Sequence, residues 1–301
     1  MLFFYLTNHF ILQKIEYNQI AVFDRNYNIG GVITYMEHAS LEQIEQLALK
    51  KEKTYQDNRM HYLVRSILAT MFLGLGVIVA FRTGGFFYET GSSLAYIVAA
   101  ITFGVGILLI KYGNADLFTG NTFYFPFAAL RGKMSWTSVF KLLFMTYIGN
   151  FIGAVFFACF LWATGLFSDS SVNGFLLNVA SHKTETPISE LFFRGILCNW
   201  LVCLAFFIPM SLKNEMAKIF IMMLLVFSFF VSGYEHSIAN MCTFAIAFML
   251  GSADMTVTGI IHNLIPVTLG NFVGGAVFMG LFFHYLNPVA KKKQKQSKKV
   301  A

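Results

Sequence analysis

The chain has 301 residues, of which 56% are hydrophobic and only 12% charged, about half the charged share of an ordinary soluble domain. So little polar surface excludes a soluble globular protein, and several stretches approach the ~20 apolar residues that span a hydrocarbon core. The net charge of +7 does not mark a nucleic-acid binder, because the excess sits beside the apolar runs and in the tail "KKKQKQSKK", where it meets anionic headgroups or water.

In chain order, residues 1–35 lack an A-x-A-like cleavage site and do not read as a signal peptide. They are expected to be an N-terminal extension, with the functional protein starting near Met36. There "MEHASLEQIEQLALKKEKTYQ" opens an amphipathic helix assigned to 36–62 on the cytoplasmic side. Apolar runs at about 63–82, 94–129, 139–166, 188–210, 219–250 and 258–287 predict six transmembrane helices in a channel domain over 63–287. A basic cytoplasmic tail, 288–301, follows. A barrel would instead show short alternating segments.

Lys50, Lys51, Lys53, Arg59, Arg65, Arg131, Lys133, Lys141, Lys213, Lys218 and the tail all fall on one side of six spans. The opposite loops keep only Arg82, Lys183 and Arg194. The positive-inside rule then makes both termini cytoplasmic in a multi-pass protein of the cytoplasmic membrane. Cys159, Cys198, Cys203 and Cys242 lie in apolar runs without CxxC spacing; they read as buried thiols, with no metal or other cofactor implied.

The second and fifth runs exceed a normal span, and each is interrupted: "YGNADLFTGN" (Tyr112 to Asn121) and "SGYEHSIAN" (Ser232 to Asn240). Irregular backbone at membrane depth is tolerated only where protein or a water-filled cavity satisfies its amides. Two broken helices, 2 and 5, therefore predict a cavity. The halves also match. "RSILATMFL" from Arg65 echoes "RGILCNWLV" from Arg194, "GNFIGAVF" from Gly149 echoes "GNFVGGAVF" from Gly270, and Asp116 precedes Asn121 by the same interval as Glu235 precedes Asn240. Each unit holds three spans, an odd number, so the second enters the membrane from the opposite side. That is an all-α 3+3 inverted repeat, which places its site at the midplane where broken helices meet.

A half-helix that starts after a break offers free N–H groups and a positive dipole end to an anion. Thr119, Asn121 and Asn240 add neutral donors at similar depth, and His236 binds a proton in the physiological range. The set suits a small monovalent anion better than a cation, which would call for a ring of carboxylates. Asp116 and Glu235 are expected to accept hydrogen bonds from loop amides and brace the breaks, Glu235 also fixing the neighbouring His236 ring. A carbonyl-bonded interior histidine is the plain alternative for His236, but an ionisable residue inside a membrane is functional by default. Lys111 snorkels or pairs with Asp116, and His262 reads as interfacial. Gly149-x-x-x-Gly153 and Gly270-x-x-x-Gly274 permit close helix approach within one subunit or between subunits alike. Phe103 and Phe230 precede the breaks, where bulky apolar groups narrow a pore.

With "NADLFTGN", "GYEHSIANM" and "NLIPVTLGNFVGG" together, the chain resembles the formate/nitrite transporter family over about residues 40–287. The resemblance implies an aquaporin-like fold, a homopentamer and one pore per subunit. It puts His236 at the central pore position with Glu235 as its acidic neighbour, and Thr119 in the loop of the second span. Asn199 matches the pore asparagine, Lys183 the lysine of the outer vestibule, and Phe103, Ile107 and Phe230 the apolar constrictions. Asn121, Asn240 and Asp116 remain the bracing residues. Asn114 departs from the family pattern where a glycine is common, and Lys111 where an apolar residue is expected.

The rival reading is an aquaglyceroporin-like facilitator of neutral solutes. It calls for two Asn-Pro-Ala-like half-helix starts, and the one candidate, "NPVA" from Asn287, lies at the end of the last span. An embedded enzyme would need a nucleophile–base pair or a metal cluster, and a scaffold would need a soluble domain; neither pattern is read. The same motifs serve formate, nitrite, hydrosulfide, acetate and lactate.

Overall fold

The computed structural model describes residues 29–288. Most of the expected extension 1–35 and nearly all of the tail 288–301 lie outside the described residues. The chain divides into two compact units, 1–41 and 42–301, and the site described below belongs to the second. No strand occurs among the described residues.

The helices, in order, are α1 (Ile29–Asp57), α2 (Arg59–Tyr88), α3 (Leu94–Phe103), α4 (Val105–Tyr112), α5 (Phe118–Leu130), α6 (Trp136–Ala163), α7 (Ser170–Glu185) and α8 (Ile188–Phe207). A 3₁₀ turn, Ile208–Ser211, leads to α9 (Glu215–Val231), α10 (Ser237–Met249) and α11 (Val257–Val273). A π-helical stretch, Gly274–Leu281, runs on into α12 (Phe282–Leu286). Five helical stretches are long and apolar enough to cross a membrane: Arg59–Tyr88, Leu94–Tyr112, Trp136–Ala163, Ile188–Ser211 and Val257–Leu286. The run read at 219–250 is instead divided between α9 and α10, of 17 and 13 residues.

Local chemistry sets several helix starts. Asn58, Ser135, Asn214 and Thr256 each accept a hydrogen bond from the backbone N–H three residues on, satisfying one of the orphan donors of a first turn. The principal helix pairings are α2 with α6 and α8 with α11. A Cβ added at Gly153 would strike the Ile67 carbonyl oxygen, and one at Gly270 that of Phe192. The glycine spacings left open by the sequence therefore seat α6 on α2 and α11 on α8 within one chain, backbone against backbone.

Residues 113–117 separate α4 from α5, and 232–236 separate α9 from α10. In each, one residue turns left-handed: Asn114 (φ 52°) and Gly233 (φ 70°). Asn is among the few residues other than glycine that visit this region, which accounts for its tolerance here.

Candidate functional site

One hydrogen-bond scheme holds both interruptions. The N–H of Asp116 donates to the Arg65 carbonyl (3.1 Å), and that of Glu235 to the Arg194 carbonyl (3.3 Å). Asn150, on α6, accepts from the Phe118 N–H through Oδ1 and donates through Nδ2 to the carbonyls of Ser66 and Asp116 (2.7–3.1 Å). Asn271, on α11, accepts from the Ser237 N–H and donates to the carbonyls of Gly195 and Glu235 (2.8–2.9 Å). Both amides are buried. Each replaces the water that exposed backbone would otherwise require.

The two carboxylates are arranged differently from expectation. Asp116, fully buried, accepts from Lys51 Nζ (2.5 Å) and Arg65 Nε (2.7 Å). Glu235 accepts from Lys183 Nζ (2.8 and 2.9 Å) and from Asn240 Nδ2 (2.6 Å). Among the described residues neither side chain takes a loop amide, and Glu235 does not hold the His236 ring. The reason is electrostatic: a buried carboxylate gains more from a cation than from a neutral N–H, and Asn150 and Asn271 already serve the main chain. Lys111 does not pair with Asp116, whose oxygens Lys51 and Arg65 occupy. Asn121 accepts from Lys51 (2.8 Å) and donates to Tyr62 and Thr146. Asn240 also donates to Asn263 Oδ1 (2.8 Å), whose own amide holds the Lys183 carbonyl.

Thr119 and His236 bring the two interruptions into contact, Oγ1 to Nε2, at 3.0 Å. His236 is the cap residue of α10, and its Nδ1 accepts from the Ala239 N–H at 3.0 Å. With Nδ1 an acceptor, the neutral ring carries its proton on Nε2. Nε2–H then donates to Thr119, whose own hydroxyl proton points elsewhere. Phe229 stacks on the ring at 5.9 Å. Asn199 Nδ2 donates to Thr122 Oγ1 and to the carbonyls of Thr119 and Asn271, while its buried Oδ1 has no partner among the described residues.

A cavity of about 420 Å³, its open mouth included, is lined by Lys183, His236, Asn240, Phe103, Phe230 and neighbours. Phe103 and Phe230 meet at 5.0 Å between ring centroids. A second, of about 650 Å³, reaches Leu117, Gly120 and Asn121 at the start of α5. Ile107 and Asn199 are buried and line neither. His262, expected at an interface, bonds the Thr186 carbonyl. Lys51, Arg65, Asn150 and Asn271 are site residues that the sequence reading passed over. For the two asparagines a signal existed, a polar residue at the same place in both "GNF" motifs; Lys51 has none, since it comes from a helix 65 residues away.

A bundle of apolar helices enclosing paired charges, helix starts and a histidine suits a membrane transport protein. Residues 38–285 match the family described as formate/nitrite transporter. The chain is 56% identical to the uncharacterized transporter YwcJ of Bacillus subtilis, over 84% of this chain and 99% of that one. It is 40% identical to the nitrite transporter NirC of Escherichia coli, over 78% and 87%. An FNT family ion channel of solved structure superposes with a TM-score of 0.77 at 35% identity, over 83% and 99%. A pentameric formate channel with formate bound gives 0.67 at 26%, over 76% and 98%. The chain belongs to the formate/nitrite transporter family.

Proposed function

We propose that the protein is a channel for small monovalent anions, formate or nitrite, in the cytoplasmic membrane, with one pore per subunit of a homopentamer and both termini cytoplasmic. Its fold is a 3+3 inverted repeat of six spans, the second (α3–α5) and fifth (α9–α10) broken. The observation that carries this reading is the 3.0 Å contact between Thr119 and His236, one residue from each interrupted run, with His236 lining one cavity and Leu117, Gly120 and Asn121 lining the other. The nitrite and formate in the names of NirC and the pentameric formate channel support the substrate class.

In this reading the field of Lys183 concentrates the anion at the outer mouth, Glu235 holding that lysine in place. The anion then sheds water between Phe103 and Phe230, a step that costs several kcal/mol or more for an unpaired charge. The Thr119 hydroxyl, freed by the Nε2–H of His236, donates to the incoming oxygen. The Nε2 proton of His236, shared through Thr119, lowers the barrier further, and this is the proposed route of proton coupling. Ile107 forms an apolar collar and Asn199 orients Thr119. A facilitator of neutral solutes has no observation in its favour: α5 and α10 start at "LFTGN" and "HSIAN", without Asn-Pro-Ala.

The test is flux of formate and of nitrite into proteoliposomes, with and without a pH gradient. His236→Asn is expected to change or abolish the pH dependence. Unchanged flux at every pH removes the histidine from the mechanism, and no anion flux in the native protein removes the channel.

A further inference from the structure

The larger cavity carries more positive charge than a monovalent anion needs. Lys50, Lys51, Arg65 and Lys111 all line it, and no acidic side chain does. Two of these cations are committed, since Lys51 and Arg65 share the buried carboxylate of Asp116 beneath the wall. The side-chain ammonium groups of Lys50 and Lys111 make no hydrogen bond or ion pair among the described residues, the Thr54 hydroxyl bonding only the Lys50 carbonyl. Lys111 is half-buried and feels Lys51 and Lys218 as like charges, offset only by Glu215, which is itself bound to Lys218 and Tyr112. Burying part of an ammonium beside other ammonium groups is unfavourable unless an anion compensates.

We propose that this cavity, between α1, α4 and α5, is a binding site for a dianionic phosphate group. A phosphate brings close to two negative charges at neutral pH and three strong acceptor oxygens. Lys50 and Lys111 match the charge, and Asn114 and the Tyr124 hydroxyl, both in the lining, supply neutral donors. Asn114 is exposed, and its side-chain amide is a donor that a glycine there would lack. Leu117, Gly120 and Asn121 close the floor, so an occupant sits against the first turn of α5.

The test is calorimetric titration of inorganic phosphate into lipid-stripped, detergent-solubilised full-length protein. Saturable binding is expected, about tenfold weaker in K50Q/K111Q and retained in K111R. It is also expected to weaken as the pH is lowered and the dianion takes a proton. Competition with phosphatidic acid in the micelle separates the two sources of the group: displacement assigns the site to a lipid headgroup, its absence to soluble phosphate. No saturable binding by the native protein, equal binding by folded K50Q/K111Q, or binding indifferent to pH overturns the proposal. Transport is not measured, so either outcome leaves the channel reading to its own flux test.

Discussion

Asn150 and Asn271 show how single side chains replace a water shell. Each satisfies one N–H and two carbonyls at an interruption in a helix. Asn271→Ala would strand the Ser237 N–H and two carbonyls, each buried orphan costing about 1–3 kcal/mol. The variant is expected to lose at least about 2 kcal/mol, read as a lower unfolding midpoint in detergent; an unchanged midpoint would show that water substitutes freely. Asp116→Asn removes the carboxylate facing Lys51 and Arg65 and leaves two cations uncompensated. Breaking a buried pair this way costs about 3–5 kcal/mol, so it is expected to destabilise more than Asn271→Ala by the same assay.

Legibility at this scale followed chemistry. Thr119 and His236 stood out because polar groups in an apolar run are conspicuous, and they lie in contact. The partners of Asp116 did not, since ion pairs between residues 51 or 65 places apart leave no local trace. The carboxylates were expected to take loop amides because the sequence gives the acceptors of a loop but not which donors fold back onto it.

Between elements, glycine decides how near two helices come. Gly270 lets α11 meet the Phe192 carbonyl of α8, and Gly153 does the same for α6 against α2. Gly270→Ala is expected to push that pair apart at a cost of about 1–3 kcal/mol, lowering the yield of monodisperse protein. Gly85→Ala serves as the comparison: its added Cβ meets nothing nearer than the Val172 carbonyl at 3.7 Å, an ordinary contact, and no left-handed backbone strain applies. Equal loss in both variants would refute the close-approach argument. The spacing was visible in the sequence, but its partner was not, because a four-residue repeat marks a narrow face without saying what it faces. The long apolar helices were legible from hydropathy, but α7 (Ser170–Glu185) was not, and α1 ends at Asp57; the division of 219–250 into α9 and α10 is the price of placing Glu235 and His236 inside an apolar run.

At the scale of the whole molecule, composition alone fixed an all-helical membrane protein, and three motifs in order identified the family. The proposed homopentamer predicts a native mass five times the 33.9 kDa of the chain, measured in detergent by light scattering; a single-chain mass would overturn it. Assembly was not derivable from hydropathy, because a lipid-facing and a subunit-facing helix surface are equally apolar.

The shared stitching of the two interruptions has a mechanical result. Shifting either backbone segment by about 1 Å would sever several buried bonds together, since one amide fastens three points at once. In the proposed channel the waist is then a fixed aperture, and any valve acts at the two cavities, through side chains such as Lys111, which lines the larger one and can swing while the frame stays still.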